Sequence, residues 1–224
     1  MNLSEAAKQP TSNDVRTKGL WNYGEYDSYF SKNGIAPKSI LEVSVYKGES
    51  TKVFATCFPD AKTVAIDLTL QNIDFSAYLN VKYLECDQTD KERLESIIHG
   101  EFPEGLDFIL DDASHLGAYS ALTFNITFPF LRGGSVYIVD DWGTGYWDNG
   151  HDGGRYQKYP LNFHDDHYPR RIPGHEFDMV GFVKSPVDLM HESAIKPTQS
   201  DLPLHRTRIN SLRFSEGNCG ALKA

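Results

Sequence analysis

Residues 39–67 read SILEVSVYKGESTKVFATCFPDAKTVAID. Ser39–Val45 is an apolar run of strand length, Ser50–Phe58 carries Val53, Phe54 and Cys57 at helical spacing, and Thr63–Asp67 is a second apolar run. Strand, helix and strand in so short a stretch predict a βαβ unit with two parallel strands in one sheet. The alternation continues downstream. A short helix is expected near Leu70–Leu79, a third strand at Val81–Glu85 and a charged helix at Lys91–His99. A fourth strand follows at Leu106–Leu110 and a largely apolar helix at Ala118–Leu131. Gly133 and Gly134 then predict a turn into a fifth strand, Ser135–Val139.

After Asp141 the alternation stops. Trp142–Glu176 is rich in Gly, Tyr, His, Asp, Arg and Pro and reads as one long loop, a length that in compact domains usually marks a lid or disorder. Phe177–Met190 resumes a helical stripe that Pro186 must kink or split. Two closing strands, Ile209–Phe214 and Cys219–Leu222, flank a turn at Glu216, Gly217 and Asn218. Upstream, residues 1–16 are expected to be a disordered or loosely attached lead. Trp21, Tyr23, Tyr26, Tyr29 and Phe30 recur at near-helical spacing, so Leu20–Phe30 is expected to be a helix packed on the main body. The expected division is a lead and helix over 1–38 and one α/β domain over 39–224, with the lid at 142–176.

Composition narrows the partners. A chain of 224 residues, 40% of them hydrophobic, suits one substantial core. A formal net charge of −9 lacks the basic footprint of a nucleic-acid binder. Cys57, Cys86 and Cys219 are odd in number and far apart, which argues against a disulfide framework or a zinc site and for a reducing compartment. No apolar run approaches membrane-spanning length, and the polar start has no signal-peptide stretch, so a cytoplasmic location is expected. Small molecules or proteins are the better partners, and self-association into a homo-oligomer is compatible with the sequence.

The chemistry is expected where the strands end, since open parallel sheets bind ligands at their carboxyl edge. Strand one runs out through Tyr46, Lys47, Gly48, Glu49 and Ser50, strand two ends at Asp67 and strand three at Asp87 and Gln88. Strand four ends at Asp111 and Asp112, and strand five at Asp140 and Asp141. Acids closing successive apolar strands need partners, because burial alone favours apolar residues there. Asp67, 19 residues past Gly48, suits a ribose diol, although an acid there also suits a helix cap. The first loop has one glycine where a dinucleotide site needs several, and Glu49 would repel a pyrophosphate, so S-adenosylmethionine (SAM) fits better than a nicotinamide dinucleotide. Asp111, Asp112, Asp140 and Asp141 lie on strands about 4.8 Å apart. Three such carboxylates with no cysteine nearby make a hard oxygen site for Mg²⁺, Mn²⁺ or Ca²⁺ rather than zinc, against the alternative that they cap helices or pair with Arg132 and Arg155. His115, three residues past Asp112, is placed to accept a proton.

The segments LEVSVYKGEST, IDL, CDQTD, FILDDASH, FPFLRGGSVYIVDDWGTGYW and FVKSPVDL together resemble the metal-dependent class I SAM methyltransferases of natural-product biosynthesis. The nearest in look are the sugar O-methyltransferases of the macrocin and mycinamicin type and the relatives often labelled cephalosporin hydroxylase. The resemblance covers roughly residues 39–222, with DDASH followed by VDDW its most specific part. It implies a Rossmann-like, seven-stranded, mostly parallel sheet flanked by helices. It implies that Glu42, Ser44, Tyr46, Gly48 and Ser50 line the methionine side of SAM, that Asp67 holds the ribose, and that Asp87 and Gln88 flank the adenine. Asp111 would lie near the sulfonium, Asp112, Asp140 and Asp141 would bind Mg²⁺, and His115 would be the base. Two departures stand out: the family usually has Gly where Ser44 stands, and a Gly-Gly pair where Gly48 and Glu49 stand.

The reading is therefore a Mg²⁺-dependent O-methyltransferase acting on a hydroxyl of a sugar, polyol or other natural-product diol. The alternatives are a SAM enzyme of non-methyl chemistry, an inactive SAM-binding partner subunit and, more weakly, an NAD(P)-dependent oxidoreductase. The lid carries His151, His164, His167 and His175 with Arg155, Tyr156, Tyr159 and Tyr168, and is either an acceptor-contacting flap or a solvated loop.

Overall fold

A computed structural model of the chain describes residues 1–9, 18–147, 149–153, 178–190 and 208–224. Its centre is a seven-stranded sheet ordered β3-β2-β1-β4-β5-β7-β6. The strands are β1 (Ser39–Val43), β2 (Lys62–Asp67), β3 (Val81–Glu85), β4 (Leu106–Asp111), β5 (Leu131–Asp140), β6 (Ile209–Phe214) and β7 (Asn218–Lys223). Strands β1 to β5 are mutually parallel, and β7 runs antiparallel between β5 and β6. The expected seven-stranded, mostly parallel sheet is what the chain forms.

The helices are α1 (Leu3–Ala6), α2 (Leu20–Asn33), α3 (Glu49–Cys57), α4 (Lys91–Glu101), α5 (Gly117–Thr127), α6 (Asp178–Lys184) and α7 (Pro186–Met190). Successive strand residues point to opposite faces, so apolar neighbours such as Ile40 and Leu41 serve two separate cores. Leu41, Val64, Ile66, Ile109 and Tyr137 pack with Leu94 and Ile98 of α4 and Phe124 of α5. Ile40, Phe108 and Ile138 pack on the other face with Tyr23, Tyr26 and Phe30 of α2 and Phe54 of α3. The Phe54 and Phe108 rings meet edge to face at 5.3 Å.

Four expectations are corrected. The first nine residues are not a loose lead: Asn2 and Glu5 form a capping box, and the fully buried Leu3 enters the second core. Asp27 of α2 fixes this turn by accepting from the Leu3 and Ser4 amides at 2.8 and 3.0 Å. No helix forms at 70–79. Asp74 accepts from the Ser76 amide, a local bond that competes with helix, and Phe75 instead stacks on Tyr83 at 5.5 Å. Gly133 and Gly134 lie inside β5, which begins at Leu131, because the helix before it already ends at Thr127 and Pro129 sits in a tight 3-10 turn, Phe128–Phe130. The expected loop after Asp141 opens with a 3-10 turn, Trp142–Tyr146. Residues 154–176 of the expected lid, with Arg155, Tyr156, Tyr159, His164, His167, Tyr168 and His175, lie outside the described residues, whereas His151 lies within them. Pro186 does split the late stripe, into α6 and α7.

Candidate active site

Two cavities open along the carboxyl edge of the sheet and share Ser44 and Ala113 as a common wall. The first, about 270 Å³, is lined by Val43, Ser44, Ile66, Asp67, Asp87 and Gln88, with Tyr119 on its rim. At its edge, Asp67 Oδ2 accepts from the Val45 and Tyr46 amides at 2.8 and 3.1 Å. Among the described residues Oδ1 takes no hydrogen bond, so the strand-two acid shapes the first loop with one oxygen and leaves the other unengaged. Asp87 accepts from the Thr89 amide at 2.8 Å. Gln88 lines the cavity with its amide committed at both ends: it donates to Thr123 Oγ1 at 2.9 Å and accepts from the Ser114 amide at 3.3 Å. It is a strut between β3, α5 and the DDASH loop.

The first loop is forced into place. Gly48 has φ +79°, and a Cβ there would stand 2.7 Å from Ile73 Cγ2, so glycine is required twice over. Ser44, at a position where a glycine was expected, takes φ +73° without one. Glu49 tolerates its position because it starts α3 with ordinary helical geometry and is buried against the amide of Lys18, its Oε2 accepting at 3.1 Å.

Glu42, expected on the methionine side, lines neither cavity. It is fully buried, and the Ser50 and Thr51 hydroxyls both donate to it, tying β1 to the first turn of α3. Burial pushes its carboxyl from 4.5 up to about 7, against the two hydroxyls. A raised acid binds its proton more tightly in the folded state, so this contribution is complete below the ordinary value and lost as pH rises through about 7. Thermal stability is expected to fall between about pH 5 and about pH 8, by on the order of 3 kcal/mol from this group. Glu42→Gln, followed by thermal melts across that range, should flatten the slope; an unchanged slope would assign it elsewhere. Asp111 is equally buried, accepts from the Tyr137 hydroxyl at 3.0 Å and lines neither cavity.

The second cavity, about 460 Å³, holds the charged chemistry. Asp112, His115 and Asp141 converge in its wall, with one ligand atom of each within 4.8 Å of the others. Burial raises the Asp112 carboxyl to about 6 despite the Lys18 ammonium, with Asp140 adding to the rise, and burial raises Asp141 as well. His115 Nδ1 is buried with no hydrogen-bond partner among the described residues. Crowded carboxylates are oxygen donors of the kind a hard divalent cation takes, and the imidazole beside them keeps a ring nitrogen without a protein partner among the described residues. Four residues of this cavity, Ser44, Tyr46, His115 and Asp141, have φ between +48° and +73° although none is glycine. Such backbone costs about 1–3 kcal/mol per residue and persists where the surroundings over-determine it, most often at functional sites.

Asp140 behaves differently from its neighbour. It is fully buried beneath the cavity and accepts from Lys18 Nζ, the Tyr26 hydroxyl and the Asn22 amide. Lys18 Nζ also donates to Asp112 Oδ2 at 2.8 Å. Lys18, Trp21 and Asn22 line the cavity, and sequence reasoning missed all three as site residues. The signal that could have found Lys18 is the surplus of strand-end carboxylates over nearby cations, which demands a counter-ion from somewhere in the chain.

No family model matches the chain. Mycinamicin VI 2''-O-methyltransferase of Micromonospora griseorubida is 29% identical over 135 residues, which cover 57% of this chain and 33% of that protein. L-olivosyl-oleandolide 3-O-methyltransferase of Streptomyces antibioticus is 28% identical over 134 residues, 57% of this chain and 34% of that one. The match thus spans about a third of each curated relative. The MycE methyltransferase of the mycinamycin biosynthetic pathway, solved in complex with Mg and SAH, superposes with a TM-score of 0.75 at 23% identity. That superposition covers 100% of this chain and 54% of the other. The fold is that of the class I methyltransferases. In a methyltransferase sheet of this order, the first cavity lies over the ends of β1 to β3 and the second over β4 and β5. The resemblance read from the motifs is borne out. Among the described residues, no helix of this methyltransferase fold is long and apolar enough to cross a membrane.

Proposed function

We propose that the protein is a SAM-dependent, divalent-metal-dependent O-methyltransferase that acts on a hydroxyl of a small-molecule sugar, polyol or other natural-product diol. The observation that carries this reading is the pair of cavities meeting at Ser44 and Ala113, one ribose-ready and the other acidic with a histidine. A two-substrate transfer needs its reactants held side by side, and positioning of that kind supplies much of the rate.

Asp67 would hold the ribose diol, Asp87 and Gln88 would flank the adenine, and Ser44, Tyr46, Gly48 and Ser50 would shape the methionine side. When bound, SAM supplies an electrophilic methyl group on a sulfonium. Asp112, Asp140 and Asp141 would hold Mg²⁺ or Mn²⁺, which when bound lowers the pKa of a coordinated hydroxyl. An imidazole nitrogen of His115 takes the proton of the acceptor hydroxyl as its oxygen becomes the nucleophile. Trp21 lines the second cavity with about half of the residue open to solvent, a surface suited to the apolar face of a sugar ring.

Incubation with labelled SAM, Mg²⁺ and a panel of sugar and polyol diols tests the reading directly. Label appearing in a diol as a methyl ether supports it, and SAM binding without transfer to any hydroxyl would favour an inactive binding subunit. The cofactor half has its own test. Asp67→Ala is expected to weaken S-adenosylhomocysteine binding by more than about tenfold, since the diol loses a charged acceptor. Unchanged affinity by calorimetry would remove Asp67 from the site.

A further inference from the structure

The most unexpected group in the second cavity is Lys18. Its side chain is 8% exposed, and its ammonium sits between Asp112 Oδ2, at 2.8 Å, and Asp140 Oδ2. Its position is built rather than incidental. The Lys18 amide donates to the buried Glu49, and Asn22, one turn along, reaches the same Asp140. Bridging two carboxylates, the ammonium is a paired charge rather than a lone one beneath the cavity.

We infer that Lys18 is the resident counter-cation of the Asp112–Asp140 pair and competes with the divalent metal for those two oxygens. This rests on the metal-site reading above and goes beyond it, because it makes a residue ahead of α2 set the affinity of a site built on β4 and β5. Mg²⁺ takes carboxylate oxygens at about 2.0–2.1 Å, whereas an ammonium sits about 2.8 Å away. Both cannot share the same oxygens without strong repulsion in a buried, weakly screened setting. Metal loading therefore swings the ammonium off Asp112 and Asp140, and Lys18 acts as a positioning residue through those carboxylates.

Calorimetric titration with Mn²⁺ of the full chain, wild type, Lys18→Met and Lys18→Arg, tests this. Lys18→Met is expected to bind Mn²⁺ at least about tenfold more tightly than wild type, and Lys18→Arg, which keeps the charge, no more tightly. A folded Lys18→Met that binds Mn²⁺ equally or more weakly overturns the inference. Should that variant not fold, the wild type decides alone. Acetylation of Lys18 by an amine-reactive ester, read by mass spectrometry, is expected to rise saturably with Mn²⁺, and no rise at saturating Mn²⁺ overturns it. If neither wild type nor variant binds Mn²⁺, the metal-site reading itself falls and this inference with it; bound Mn²⁺ with no effect of Lys18 removes only the inference.

Discussion

His115→Ala is expected to lose about 10²–10⁴-fold in kcat, the range a general base contributes, with S-adenosylhomocysteine affinity nearly unchanged. The separation follows from the two cavities. His115 lines the acidic one, whereas Asp67, Asp87 and Gln88 line the other. His115 also has φ +53°, so alanine in its place keeps a strained backbone while losing the side chain that occupies the site. Single-turnover kinetics beside calorimetry on a folded variant provide the check. Near-normal turnover would show that another group takes the proton, and a parallel loss of cofactor affinity would assign His115 to the shape of the shared wall instead.

Removal of divalent metal is expected to abolish turnover completely and reversibly. Asp112 and Asp141 offer only oxygen ligands, and their burial-raised carboxyls mark negative charge held together against its own repulsion. EDTA treatment followed by Mg²⁺ or Mn²⁺ should restore the rate, whereas Asp112→Asn should show a loss that metal does not restore. Full activity in metal-free protein would leave Asp112, Asp140 and Asp141 as structural acids, with Lys18 as their permanent partner.

Much of the site was legible because parallel strands make position readable. An acid that closes an apolar run must lie at the sheet's carboxyl edge, so Asp67, Asp87, Asp112 and Asp141 all reach cavity walls from their places in the chain. What the strand ends do not reveal is which way each side chain turns. Of two adjacent pairs, Asp111 and Asp140 are buried and line neither cavity while Asp112 and Asp141 face the second one, and Asp140 stays in reach of it only through the Lys18 ammonium that it shares with Asp112. Adjacent residues on a strand face opposite sides, and the register that decides between them comes from packing. Glu42 shows the same gap: it was read as a ligand contact, and the hydroxyls of α3 close over it.

By itself, then, the sequence determined the sheet and its carboxyl edge, through strict alternation of apolar runs and helical stripes, a local signal with a fixed period. It placed as well the acids Asp67, Asp87, Asp112 and Asp141 along that edge. Only the tertiary structure decided what long-range packing controls. The first nine residues dock through Asp27, the stretch at 70–79 is a loop across Gly48 rather than a helix, and β5 runs through its two glycines. Above all, it decided that Lys18 meets Asp112 and Asp140 from 94 and 122 residues away. A lone lysine ahead of a helix carries no local mark of burial; its charge finds its partners only when α2 packs across the sheet.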